Sequence, residues 1–326
     1  MSGEPGKVLS GTGGVWQVQR DSGERVDAVL RGRLKKTDAP LRADGSRKRA
    51  VDYGVGGLKL AVGDNVLVER DERGETWGIT EITPRTSQLA RREPGGRHGE
   101  RILAANVDQV VICFAAAKPE PHARMLDRFL VIAGGNELSP RVVLNKVELV
   151  GEDSVRARFA EYERAGYPVH YTSVKQDLGL DALRAALHGR VSVLTGPSGV
   201  GKSSLINAIY PGMNLRVGEI SESVQKGRHT TVGASMHPLP DGGFVLDTPG
   251  LREVGMWGLP PEHLDACFLE FRPFLENCRF GDCTHRAEPE CGVRDELGKA
   301  ISHPRYDSYL KLMEELEAEQ KKWQYK

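Results

Sequence analysis

No stretch of this sequence is apolar for long enough to cross a bilayer. The best run, Val110 to Ala117, falls far short of the roughly 20 residues that a spanning helix needs. The opening residues, MSGEPGKVLSGTGG, lack the apolar core of an export signal. These absences predict a cytoplasmic chain with no membrane partner. Net charge is missing too: 45 Lys and Arg face 45 Asp and Glu in 326 residues, so bulk charge names no partner. Internal repeats are absent. Cysteine is scarce, with five in all, and three of these gather with a histidine late in the chain. In a cytosolic chain such a cluster suggests metal before disulfide.

What is present is unevenly placed. Residues 1–14 are rich in Gly and Ser and read as a flexible N-terminus. From Val15 to about Thr83 short alternating segments (VWQVQ, DAVLRGRL, NVLVERD, TWGITEI) are cut by turns, and helical periodicity is lacking, which predicts a small β-barrel over 15–83. Residues 84–100 read as a Pro/Gly/Arg-rich linker. Over 101–258 buried-strand candidates alternate with helical stretches at Met125–Asn136, Asp153–Ala165, Leu180–His188 and Lys202–Ile209. That rhythm predicts a mostly parallel sheet covered by helices on both faces. Residues 259–326 hold the Cys/His cluster and end in a helix, Tyr306 to Trp323. The fold class is therefore multidomain α/β, with a barrel in front and a mostly helical metal-binding region behind.

The segment VSVLTGPSGVGKSSLINAIY matches G-x-x-x-x-G-K-[ST] between a strand and a helix. In Gly196-Pro197-Ser198-Gly199-Val200-Gly201-Lys202-Ser203-Ser204 the glycines permit a tight loop that turns N–H groups toward phosphate. Lys202 is placed to reach the β- and γ-phosphates, and Ser203 to ligate Mg²⁺. This motif establishes a nucleoside triphosphate site without choosing the base. The base is addressed by Asn145-Lys146-Val147-Glu148, which resembles the guanine-reading NKxD motif with Glu in place of Asp. A bidentate carboxylate suits guanine, since adenine lacks the two donors. Ser173, ending a strand, resembles the loop that backs the base. Asp247-Thr248-Pro249-Gly250 fits DxxG, in which the Asp meets Mg²⁺ through water and the Gly N–H meets the γ-phosphate.

These signals run in rotated order: NKxE, then Ser173, then the phosphate loop, then a Thr pair, then DTPG. A parallel α/β sheet tolerates such a permutation if the old termini lie close together. Cys278-x4-Cys283-x-His285-x5-Cys291 offers three thiolates and one imidazole, a set that suits one closed, structural Zn²⁺ site. Cys113 and Cys267 read as core. Arg31, Arg33, Lys35, Lys36, Arg42, Arg47, Lys48 and Arg49 crowd the barrel segment, and basic barrel loops attract backbone phosphate. Trp16 and Trp77 can stack bases, but core packing is the commoner role.

The permuted order, the barrel, Gly227-Arg228-His229-Thr230-Thr231 and the Cys/His tail together resemble the RsgA (YjeQ) family of circularly permuted, ribosome small-subunit-dependent GTPases. The resemblance runs from about residue 15 to the C-terminus. It implies an OB-fold, a permuted G domain and a zinc domain. It also implies GTP hydrolysis stimulated by the small (30S) subunit late in that subunit's maturation, with GTP/GDP and 16S rRNA as partners. A monomer is expected. Conventional Ras-like enzymes orient water with a Gln after DxxG, whereas Leu251 stands here. The family's matching histidine points to His229 for that role, alongside Lys202 and a switch threonine, Thr231 or Thr230, on Mg²⁺. The loop over 212–233 is expected to be ordered by the γ-phosphate. Two rival readings stand at this stage. One is a P-loop ATPase or kinase in which NKVE is incidental. The other is a zinc-stabilised RNA-binding module with a non-hydrolysing nucleotide site.

Overall fold

The computed structural model describes residues 3–31, 54–55, 58–71, 74–92, 100–215, 234–247 and 259–324. A closed five-stranded barrel comes first, with strand order β1-β2-β3-β7-β6. Its strands are β1 (Glu4–Thr12), β2 (Val15–Arg20), β3 (Arg25–Leu30), β6 (Asn65–Arg70) and β7 (Trp77–Ile82), while β4 (Gly54–Val55) and β5 (Leu58–Lys59) form a separate small ribbon. Alternation drives the closure: Val26, Ala28 and Leu30 of β3 point inward between exposed neighbours. They meet Val8, Val18, Val66, Val68 and Ile79 in the barrel core.

The N-terminus corrects the flexible segment expected over 1–14. Residues 4–12 pair with both β2 and β6 and so close the barrel. The register slips between Val8 and Ser10. This bulge buries two successive side chains. Val8 enters the barrel core, whereas Leu9 enters a second core with Leu89, Ala104 and Val107. The expected linker is likewise partly structured. β8 (Gln88–Arg92) and β9 (Glu100–Ala105) pair antiparallel and carry that second core. Trp16 and Trp77 pack partly buried against the barrel core. The Arg20 and Arg70 guanidiniums lie 4.6 and 5.0 Å from the Trp77 ring centre.

The joint between barrel and sheet is polar and tight. A Cβ on Gly63, whose φ is +92°, would meet the Ala105 carbonyl oxygen at 2.1 Å. Asp64, fully buried beside it, is paired with Arg85 at 2.7 Å and accepts from the Ala61 N–H. Asn106 donates to the Gly63 carbonyl at 3.0 Å. On the other side Lys7 donates to Asn65 and lies 5.8 Å from the Phe244 ring.

The second unit is a six-stranded sheet with order β12-β11-β10-β13-β15-β14. Its strands are β10 (Gln109–Ala115), β11 (Ser139–Asn145), β12 (Val169–Thr172), β13 (Val191–Thr195), β14 (Ser235–Pro238) and β15 (Phe244–Asp247). All pairs are parallel except β14 with β15. Every residue of β10 is buried, as a central parallel strand covered on both faces requires. The helices α1 (Ala123–Gly135), α2 (Glu152–Arg164), α3 (Leu180–Leu187) and α4 (Lys202–Ile209) lie close to the predicted stretches. Cys113 and Cys267 are both buried core residues, as expected. Short 3₁₀ turns, α5 (Gly292–Asp295) and the long α6 (His303–Gln324) complete the chain. Among the described residues no helix is long and apolar enough to cross a membrane.

Candidate nucleotide and metal sites

Strand order brings the scattered motifs to one edge. β13 delivers the phosphate loop between β10, whose other neighbour β11 ends at Asn145, and β15, which ends at Asp247. Gly196, Gly199 and Gly201 adopt φ of +127°, +77° and +95°. A Cβ on Gly196 would meet the Cys113 carbonyl oxygen at 2.0 Å, and one on Gly201 would meet Asn145 Nδ2 at 2.6 Å. The loop is therefore pressed against its neighbours on two sides, which excludes larger residues at both positions. Pro197, Ser198 and Val200 lie within this turn, and Ser204 lies on the first turn of α4.

Asn145 is buried at the end of β11 and joins three motifs. Its Nδ2 donates to the Val200 carbonyl at 2.9 Å, and its Oδ1 accepts from Thr172 Oγ1 at 3.3 Å. Lys146 follows in a left-handed turn and sends Nζ to the Lys118 carbonyl at 2.8 Å and the Gly199 carbonyl at 2.5 Å. The aliphatic stem of Lys146 thus spans from the NKxE turn to the glycine loop. Glu148, in the 3₁₀ turn that follows, carries a buried Oε2 with no hydrogen-bond partner. An orphaned carboxylate oxygen at a buried site is costly unless donors arrive. Guanine presents two such donors, and this fit comes from the donor set alone. Ser173 is fully buried; its Oγ accepts from the Gln176 N–H, and its backbone pairs with Leu178.

Lys202, 5% exposed, folds back so that Nζ donates to the Gly196 and Pro197 carbonyls at 2.9 and 2.8 Å. It stands at the mouth of the loop, where a phosphate would compete for its donors. Ser203 is buried beside it on α4. Asp247 ends β15 in register with Leu194 and Ser235. His229, Thr230, Thr231 and Gly250 lie outside the described residues, as do Arg33, Lys35, Lys36, Arg42, Arg47, Lys48 and Arg49. Arg31 is described, and its guanidinium donates to the Glu69 and Arg70 carbonyls at 3.2 and 2.6 Å. It braces the barrel wall, a role that sequence alone did not suggest.

The four metal-ligand candidates converge as well. Ligand atoms of Cys278, Cys283, His285 and Cys291 all lie within 4.8 Å of one another. His285 Nδ1 stands 3.5 Å from Cys278 Sγ and 3.3 Å from Cys291 Sγ. Edges of this length match a tetrahedron with bonds of about 2.0–2.3 Å, so the set fits a single Zn²⁺. His285 Nε2 faces Asp265 Oδ2 at 3.2 Å, which fixes Nδ1 as the ligating nitrogen. Residues missed by sequence reasoning support this cluster from α6: Tyr306 Oη donates to the His285 carbonyl at 2.5 Å and Tyr309 Oη to the Thr284 carbonyl at 3.0 Å. Their apolar-looking helical spacing concealed the hydroxyls.

Known proteins share this arrangement. A family model described as RsgA GTPase matches residues 82–257. A small ribosomal subunit biogenesis GTPase RsgA of Gemmatimonas aurantiaca is 55% identical over 313 residues, covering 95% of this chain and 97% of that protein. One from Vibrio vulnificus is 38% identical over 82% of this chain and 77% of its own length. The crystal structure of YjeQ from Thermotoga maritima superposes with a TM-score of 0.73 at 33% identity, covering 96% of this chain and 98% of that one. YloQ, a circularly permuted GTPase, gives 0.73 at 27% identity, covering 97% and 95%.

Proposed function

Because the chain belongs to the RsgA GTPase family, it is a GTP hydrolase of small-ribosomal-subunit biogenesis, and we propose that the subunit itself triggers hydrolysis at the site built by Asn145, Glu148 and Lys202. One observation carries the assignment of the site. Asn145 is hydrogen-bonded to the phosphate loop at Val200 while the nearby Glu148 holds an unpartnered buried oxygen. Base recognition and phosphate recognition are thereby locked to each other. An ATP-binding reading leaves that carboxylate oxygen without donors, and so the donor set supports guanine.

In this reading Lys202 exchanges its two backbone acceptors for phosphate oxygens. Asn145 holds the base edge, the loop at Ser173 backs the base, and Glu148 accepts from its ring N–H and amino group. Ser203, Thr231 and Asp247 would hold Mg²⁺, which would supply positive charge against the phosphate oxygens. His229, as a neutral imidazole, accepts a hydrogen bond from the attacking water, a task that Leu251 cannot perform. Cys278, Cys283, His285 and Cys291 would hold Zn²⁺, which would tie the C-terminal region together. The proposed domain limits are barrel, G domain over 101–258 and zinc region over 259–326, with the barrel starting at residue 4. The basic residues from Arg33 to Arg49 form the proposed 16S rRNA contact, and a cytoplasmic monomer is the proposed working form.

Phosphate release from GTP, measured with and without purified small subunits, tests this. Subunits should raise the wild-type rate at least tenfold. His229→Ala should keep binding a fluorescent GTP analogue and lose the stimulated rate by roughly 10²-fold, the lower range for a general base. Equal wild-type rates with and without subunits would reject the trigger.

A further inference from the structure

Arg305 is a full positive charge with only 2% of its surface exposed. Its Nε donates to Glu270 Oε1 at 2.6 Å, Nη1 pairs with the Asp127 carboxylate, and Nη2 reaches Tyr167 Oη at 3.4 Å. The guanidinium also lies 4.7 Å from the Phe268 ring centre. Burial pushes its pKa down, but the Asp127 and Glu270 charges more than offset this and raise it. Buried ion clusters of this kind often add less stability than apolar residues of similar volume would. No step of hydrolysis uses this one, so its place in the fold asks for another account.

The cluster stands midway on a continuous line of contacts. Tyr306, the next residue of α6, donates to the backbone of the metal-ligand candidate His285. Asp127 belongs to α1, which begins five residues after Lys118. The Lys118 carbonyl accepts from Lys146, which also holds Gly199 of the phosphate loop. Between them Arg158 pins the connecting segment, through Glu120 at 2.5 Å and the Pro121 carbonyl at 3.1 Å. A second ion pair, Arg128 with Glu315, joins α1 to α6 further along. The path from ligand candidate to phosphate loop therefore runs through rigid helix and short polar contacts, with Arg305 as its hub.

We infer that the metal centre and the nucleotide site are thermodynamically linked through Arg305 and α1, so that guanine nucleotide alters how tightly the Cys/His cluster holds its ion. This rests on the assignment of the two sites given above. Linkage is reciprocal, and coupling between distinct sites is typically about 5- to 150-fold. Arg305 is a positioning residue in this scheme, touching neither ligand.

The test uses the intact zinc-loaded protein and titrates its zinc to equilibrium against a chromophoric chelator, with no nucleotide and with saturating GDP. In the wild type GDP should change the zinc dissociation constant about fivefold, the lower end of that range. Tyr306→Phe removes one hydroxyl and leaves the ion cluster intact; it should cut the GDP effect to less than about twofold while a fluorescent GDP still binds. Arg305→Met with Asp127→Asn and Glu270→Gln, which leaves no uncompensated charge, should do the same. A merely structural role would weaken zinc binding equally with and without GDP. A wild-type zinc affinity that ignores GDP, or a full GDP effect in both variants, overturns the linkage. Purified protein without one zinc per chain, or without GDP binding, would overturn the site assignment and the linkage with it.

Discussion

Glu148 is one methylene longer than the aspartate usual in the guanine motif, and its Oε2 is left buried without a partner. Glu148→Gln replaces that acceptor with an amide that donates. Competition of fluorescent GDP by GDP and by ADP should show guanine preference falling by about 10- to 100-fold, as expected for losing a hydrogen bond to a charged group worth about 1.5–3 kcal/mol. Unchanged preference would remove Glu148 from base recognition. His170 offers a second residue-level test. Its Nε2 meets Arg141 Nη1 at 2.7 Å, and burial, aided by the Arg141 charge, pushes its pKa down to about 4. The folded state therefore favours the neutral ring, while the unfolded state takes up a proton near pH 6.5. Stability should fall as pH drops from about 6.5 toward 4, and solvent screening limits the loss to about 1–2 kcal/mol. A pH series of melting temperatures should show a shallower acid slope for His170→Asn than for the wild type.

At the scale of elements, the phosphate loop depends on its contact with β11. Gly201→Ala places a methyl at φ +95° and against Asn145 Nδ2. A strained residue of this kind costs about 1–3 kcal/mol, so GDP affinity should drop by roughly 10- to 100-fold. The measured dissociation constant, set beside the melting temperature, separates loss of the site from loss of the fold. Elements of this kind were largely legible beforehand. Buried parallel strands such as β10 read as unbroken apolar runs, and the glycine loop sits between a strand and a helix as its chemistry demands. β1 was not legible, because EPGKVLSGT is broken by Pro, Gly and Ser and its bulge disrupts the alternation. The β8–β9 hairpin was hidden because its sequence is rich in arginine and flanks a Pro/Gly stretch, which reads as a linker. Nothing in the sequence marked Arg305, since its partners Asp127 and Glu270 are distant in sequence. The contact of Asn145 with Val200 follows from tertiary packing that no spacing encodes.

For the whole molecule, the Cys/His segment anchors α6, through Tyr306 and Tyr309. Stripping zinc with a chelator should lower the melting temperature. It should also make residues 259–324 the first cut by limited proteolysis, since binding energy in such sites is folding energy. Retained protease resistance after zinc loss would argue against a structural ion. Removing residues 1–12 should be equally disruptive at the other end, because β1 closes the barrel and supplies Leu9 to the neighbouring core. Such a truncation should expose apolar surface, read as increased dye binding.

The sheet order also bears on the chain as it is being made. Strands β10, β11 and β12 are adjacent both in sequence and in the sheet, so the half that carries the Asn145 turn can assemble as soon as residue 172 has left the ribosomal tunnel. The half that carries the glycine loop follows, and β13 must then dock along the β10 edge over a span of more than eighty residues. A nascent chain paused between these halves holds the Asn145 turn without the Val200 carbonyl that it bonds, and β15 must emerge as well before Asp247 stands beside the loop strand.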